Sequence, residues 1–428
     1  MIPAPHRTRT LALAAVLHAF THIYQVALMP LYLPIVKDLR LAGEGQATLL
    51  VTVMLVAYFG PAYPVGVLAD RFSRTKLLGW GLLLNAVAFI GLSFAPDYAW
   101  ALVCVAVSGL GGSFFHPSAT ALVAQLYPVG TGRALGFLGV GASLGFFVGP
   151  LYSGWRAEMT DNWRTPVLEL GVLGVVMTGV FAWAAKGACT EVAATAQARP
   201  VPAPARMFNS RTAWVLFIAA ALAFGLRDFA GHGMASLGSL FLQKAHAFSV
   251  KEVGAALGAM YLLSALSNPV FGHFSDSGRL RWTCGVLLAS AGIIAIYPHL
   301  SRGGLVPVFL VYGFFLMASY PMVEAALMES VPDAVRGRVF GLFITMGGMV
   351  GNLSHALAGR LVEGLGPRAA DTHSYFNVYA TLSGLMILSL TGLACLHFLR
   401  RSEKAASASA ASTQTVLGTT GSEQSATP

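Results

Sequence analysis

The chain has 428 residues, of which 56% are apolar and 11% are Asp, Glu, Lys or Arg, with 47 glycines and a mean hydropathy of +0.67. Ordinary soluble domains carry about 25% charged residues, so this composition excludes a water-soluble enzyme. A membrane helix takes roughly 17–25 apolar residues, and twelve of them use about 250, which leaves short loops and a tail but no separate globular domain. A net charge of +9 would point to nucleic acid in a soluble protein. In a polytopic membrane protein it reads as Lys and Arg gathered in cytoplasmic loops, and no nucleic-acid partner is expected.

Arg7 and Arg9 precede an apolar stretch that runs to about Val36 without a small-residue cleavage site, which predicts a retained first span and not a signal peptide. Twelve spans are predicted, beginning near Leu11, Ala47, Lys76, Ala99, Ala134 and Pro166, then Thr212, Val253, Arg281, Leu305, Val339 and Tyr375. These group as a six-helix bundle over 1–185, a cytoplasmic linker over 186–211, a second six-helix bundle over 212–400 and a tail over 401–428. The linker contains the Ala/Pro run Arg199 to Arg206, and Pro-rich linkers are semi-extended. The tail turns to Ala, Ser, Thr and Gly and is predicted to be disordered. With both termini inside, inner segments hold 17 basic residues and outer loops 9, while Arg227 lies within a span. That asymmetry predicts cytoplasmic termini in an inner membrane. Cys104, Cys189, Cys284 and Cys395 are scattered singly, so neither a disulfide framework nor a zinc site is signalled.

The two halves resemble each other. Gly66, Asp70, Arg71, Arg74 and Lys76 follow the second span, and Gly272, Asp276, Arg279 and Arg281 follow the eighth about 206 residues later. His116-Pro117 in the fourth span matches Tyr320-Pro321 in the tenth, and Gly132-Arg133 matches Gly337-Arg338. Repeated helical units around a midplane site are a common plan of secondary transporters. The Gly66–Lys76 turn reads as a gate: Gly66 lets helices approach, Asp70 caps or pairs, and Arg71, Arg74 and Lys76 form ion pairs that break when the halves rock.

At this level the chain resembles the major facilitator superfamily, whose loop signature G-x-L-a-D-R-x-G-R-K is matched by Gly66–Lys76 with Ser73 in place of the second Gly. The fifth span adds Gly136, Gly145, Gly149-Pro150 and Gly154, with Ser153 where another Gly is expected. This spacing resembles the antiporter motif of the drug:proton exporters of that family. Physically, Gly145 and Gly149 make a small-residue packing face and Pro150 bends the helix. Leu17-His18, Phe20, His22, Tyr24 and Pro30–Pro34, with Phe115-His116-Pro117, resemble the opening and fourth span of fosmidomycin-resistance-type transporters. His22 departs from that group, which carries an acidic residue there.

Charges at membrane depth cost roughly 2.5–3.5 kcal/mol on insertion scales and mark function. Arg227 and Asp228 lie near the middle of the seventh span. Adjacent residues project about 100° apart, which makes them a poor mutual pair, whereas Asp228 and His232 share a helix face at i, i+4. Asp228, His232 and Glu324 are therefore the candidates for proton coupling. Arg227, His18, His22, Tyr24, Gln25, His116, Tyr320 and His355 are the candidates for lining a solute site. Neutral imidazoles also ligate metals, but no Cys pair or Asp cluster accompanies them, so no resident metal site and no cofactor is expected.

The expectation is an all-α polytopic membrane protein with twelve transmembrane helices in two pseudo-symmetric six-helix bundles. It would be a monomer in the lipid bilayer that exports a small organic solute in exchange for protons. The alternatives are an uptake symporter for a small organic anion, a metal or metal-chelate transporter using the histidines, and a non-transporting receptor or scaffold. No nucleophile, nucleotide or P-loop motif suggests an enzyme.

Overall fold

The computed structural model describes residues 4–127, 129, 131–185, 207–208, 210–275, 278–331 and 335–404. Among them there are helices and turns and no strands, as hydrocarbon demands of a chain that must satisfy its own backbone. The first half contains α1 (Ala4–Val26), α2 (Tyr32–Asp38), α3 (Glu44–Phe59), α4 (Ala62–Arg71), α5 (Arg74–Ser93), α6 (Tyr98–Ser113), α7 (Phe115–Leu126), α8 (Thr131–Thr160) and α9 (Arg164–Ala184). The second contains α10 (Arg211–His246), α11 (Val250–Leu262), α12 (Ser264–Ser275), α13 (Arg279–Ile296), α14 (Arg302–Met328), α15 (Arg336–Leu365), α16 (Phe376–Leu388) and α17 (391–404). Among the described residues, eleven segments are long and apolar enough to cross a membrane. The eighth position is filled by α11 and α12 together, interrupted at Leu263.

Local chemistry fixes the element ends. Asp97 caps α6 by accepting from the Trp100 amide at 2.8 Å, and Ser210 does the same for α10 from Ala213 at 3.0 Å. Ser249 and Glu252 form a reciprocal capping box at the start of α11. Pro61, which cannot continue the ladder, separates α3 from α4.

Apolar side chains cover the outside, as they must in lipid. On α9, Val172, Val176, Val180 and Trp183 are exposed at helical spacing, with Trp183 73% exposed. Inside each half, α1 packs on α8 and, at the equivalent place, α10 on α15. Between the halves, α3 packs on α15 and α8 on α11. This exchange of partners is the pseudo-twofold relation that the paired motifs predicted.

Toward the end away from the termini the halves are stitched together. Glu44 pairs with Lys244, the Gly45 amide donates to Glu363 at 3.1 Å, and the Lys251 amide to Glu158 at 2.9 Å. Deeper in, Ser239 donates to the Met29 carbonyl at 2.7 Å and Thr52 to the Asn352 carbonyl at 3.0 Å.

The linker expected over 186–211 falls largely outside the described residues, as does the tail beyond Lys404. The last helix runs on through 404. Cys104, Cys284 and Cys395 are free thiols, while Cys189 lies outside the described residues.

Candidate functional site

The helix α10 is continuous over 36 residues, and Arg227 and Asp228 occupy its middle. Both are buried, at 2% and 9% exposure. They pair directly: Arg227 Nη2 lies 2.8 Å and Nε 2.9 Å from Asp228 Oδ1. This corrects the expectation from helix projection, because the long flexible stem of Arg folds its guanidinium back to the neighbouring carboxylate. Tyr320 of α14 lays its ring over the guanidinium at 4.0 Å, and Phe224 stands 5.6 Å away. A cation held against an aromatic face in a dry site is stabilised by about 2 kcal/mol.

The carboxylate lies in a slot made by glycine. A Cβ on Gly351 would stand 2.6 Å from Asp228 Cβ, and one on Gly347 would stand 2.9 Å from Asp228 Oδ2. These two glycines of α15, four residues apart, are what lets the α10 charges fit.

Glu324 follows Tyr320 by one turn of α14 and is half-buried, with no ion pair or hydrogen bond among the described residues. His232 is stacked on His355, with ring centroids 5.6 Å apart, and its buried Nδ1 makes no hydrogen bond of normal geometry among the described residues. No hydrogen bond joins it to Asp228 among the described residues. His355 is fully buried and meets Ser236 at 2.7 Å, which meets Tyr32 of the other half at 2.7 Å. It therefore belongs to the seam between the halves.

A second cluster lies in the first half. His18 and His22 of α1 and His116 of α7 bring their ring nitrogens within 4.8 Å of one another. Gln25 holds His22 at 2.8 Å. His116 is exposed although it lies inside the fourth span, and its ring neighbours are His18, His22 and Tyr58 on α1 and α3. Its exposure is therefore to the space between helices and not to lipid. Tyr24 is placed elsewhere: it packs on Phe89 and donates to the Leu170 carbonyl of α9 at 3.0 Å.

The gate residues are divided. Arg74 donates to the Ala121 carbonyl at 3.1 Å and to Gln125 at 2.8 Å, tying α5 to the end of α7. Arg279 pairs at 2.8 Å with Glu329 at the end of α14, which Arg400 also reaches at 3.3 Å. The two arginines do the same work in the two halves. Arg71 and Lys76 are exposed. A Cβ on Gly66 would make only an ordinary 4.0 Å contact with Pro117, so close helix approach does not require glycine there. The side chain of Asp70, the surroundings of Gly272 and the whole of Asp276 lie outside the described residues.

The glycine face of α8 is tight where it meets α1. A Cβ on Gly145 would collide with the Ala19 carbonyl, and one on Gly149 would stand 2.8 Å from Val26. Gly141, not singled out in the sequence, meets the Ala15 carbonyl in the same way. Gly154 faces Gly254 of α11, while Gly136 has nothing within 4 Å. Pro150 is accommodated without interrupting α8.

Comparison with known proteins decides the family. The chain matches the family model of the Major Facilitator Superfamily over residues 11–354 and again over 234–420. The chain belongs to that superfamily. Among curated relatives, it is 25% identical over 354 residues to the multi-drug resistance efflux pump PmrA of Streptococcus pneumoniae, covering 78% of this chain and 85% of the relative. It is 22% identical over 387 residues to the quinolone resistance protein NorA of Staphylococcus aureus, covering 85% and 90%. Among solved structures, a bacterial homologue of the human lysosomal transporter Spinster, inward-facing and unoccupied, aligns with a TM-score of 0.71 at 14% identity over 94% of this chain and 98% of that one. A peptide transporter of the POT type bound to alafosfalin aligns at 0.70 with 17% identity, over 92% and 95%. The fold of this superfamily transporter is thus shared well beyond sequence similarity.

Proposed function

We propose that this transporter exports an amphipathic organic solute from the cytoplasm in exchange for protons, from an inner membrane with both termini cytoplasmic. The observation that carries the reading is the division of labour among three charged groups. Arg227 and Asp228 neutralise each other, whereas Glu324, one turn from Tyr320, makes no ion pair among the described residues and feels Arg227 only from beyond contact distance. A carboxyl group in an apolar wall is stabilised by taking up a proton or by meeting a cation, and an unpaired charge there is costly.

Exchange requires that proton and solute exclude each other. Glu324 supplies this: a solute presenting a cation or hydrogen-bond donor displaces the proton, and its departure lets the proton return. The apolar part of the solute packs against Tyr320 and the opposing wall near His116. Asp228 keeps Arg227 charge-balanced and oriented throughout the cycle. The names of the relatives, a multi-drug pump and a quinolone resistance protein, favour a drug-like solute.

A solute that bound Arg227 by displacing Asp228 would instead bring a proton with it, the symport of an organic anion. The 4.0 Å cation–π contact and the direct ion pair leave the guanidinium fully engaged, which favours exchange over symport. Everted membrane vesicles energised to an acid interior test the reading. Adding a quinolone should dissipate the pH gradient with wild-type protein and not with Glu324→Gln. A gradient dissipated equally by both contradicts the role given to Glu324.

A further inference from the structure

We propose that His18, His22 and His116 form a three-imidazole binding site for a divalent transition-metal cation of the Zn2+ class, with its open coordination position facing the transport chamber. The inference rests on this cluster alone and does not depend on the direction or coupling of transport.

Ring orientation is the first argument. His18 Nδ1 lies 2.9 Å from the Leu138 carbonyl oxygen, which can only accept, so Nδ1 carries the hydrogen and Nε2 presents its lone pair. His22 Nδ1 lies 2.8 Å from the Gln25 side-chain amide, which anchors the ring and turns its Nε2 toward His18. The two Nε2 atoms then face each other at 3.0 Å. One hydrogen shared between them makes this a hydrogen bond in the metal-free cluster, and a cation that displaces that hydrogen meets both Nε2 lone pairs.

Pre-organisation is the second argument. Phe115 stacks on the His18 ring with centroids 4.5 Å apart, and Phe146 lies over the His22 ring at 4.1 Å. Metal-bound histidines almost always donate their other ring hydrogen to a carbonyl or side-chain oxygen, which fixes tautomer and direction. Leu138 and Gln25 occupy that position for the two rings.

Distance is the third. Zinc–nitrogen bonds of about 2.0–2.1 Å in a tetrahedral site place ligand nitrogens about 3.3 Å apart. The His18–His22 pair is within a few tenths of that value. His116, the exposed member, has its nitrogen within 4.8 Å of the others and closes the triangle by a side-chain rotation. Three protein ligands leave the fourth position vacant, as in sites whose metal exchanges ligands with solvent. Because all three ligands are neutral, the fourth is an anion or water from the chamber, since an uncompensated double charge is disfavoured there.

Cobalt binding tests this on full-length, tag-free protein purified in detergent and stripped with chelator. Titration with Co2+ should give one ion per chain with the visible absorption of four-coordinate cobalt, and Zn2+ should displace it. His22→Asn and His116→Ala should abolish the band, and Gln25→Ala should weaken binding by about 10–100-fold. His116→Ala removes an exposed ring and keeps the packing, so monodisperse protein without the band supports the site even if His22→Asn fails to fold. Absence of stoichiometric binding, or binding unchanged in His116→Ala, overturns the proposal. So does a metal-free cluster whose substitution only moves the pH profile of transport, because the bridging electrophile is then a proton.

Discussion

Arg227 and Asp228 show how far a residue's chemistry is legible before its geometry is known. Two charges in the middle of an apolar run mark a site whatever the fold. Their pairing was not legible, because helix projection describes Cα–Cβ directions and not where a guanidinium on a flexible stem ends. The burial of the pair has a measurable consequence. Removing one partner of a buried pair costs about 3–5 kcal/mol, whereas removing both leaves no orphan charge. Arg227→Gln and Asp228→Asn should each lower the thermal midpoint of purified protein more than the double variant does. A double variant as unstable as the sum of the singles would mean that the two groups do not neutralise each other. Glu324 was legible only as a candidate, since making no ion pair or hydrogen bond among the described residues is a property of the folded neighbourhood.

At the scale of elements, a glycine matters only where a neighbour's backbone stands against it. The motif spacing in the fifth span was visible in the sequence, yet the structure divides its members. Gly145 abuts the Ala19 carbonyl of α1, and Gly136 abuts nothing. Gly145→Ala should force α1 and α8 apart and lower the thermal midpoint and transport together. Gly136→Ala should be neutral or stabilise the helix by about 0.5–1 kcal/mol, because it removes backbone freedom from the unfolded chain at no steric cost. Equal loss in both variants, read by thermal unfolding, would show that the motif works by something other than packing. The fourth and tenth spans illustrate the limit of repeat matching: His116-Pro117 begins a new helix, α7, while Tyr320-Pro321 lies inside the continuous α14.

For the whole molecule, the bundle plan was legible because lipid imposes long apolar helices and the halves carry matching motifs. The seam was not. Glu44 and Lys244 are single charges 200 residues apart in the sequence, and only the fold makes them partners. As a partly exposed pair they contribute about 1 kcal/mol to the closed end, or roughly fivefold in population. Lys244→Gln should shift the protein by that factor toward the state open at the end away from the termini. Spin labels at Ala42→Cys and Gly364→Cys, with the native cysteines replaced, would report it as growth of a longer distance. An unchanged distance distribution would remove the pair from the gate.

The central claim is that solute and proton compete for one carboxyl group. Proton release on binding measures this without a membrane or a gradient. Purified protein in weakly buffered detergent with a pH indicator is mixed with a solute that raises its thermal midpoint. The account predicts acidification with wild-type protein and none with Glu324→Gln, both proteins having bound solute. Proton uptake on binding, or release that survives in Glu324→Gln, would contradict it.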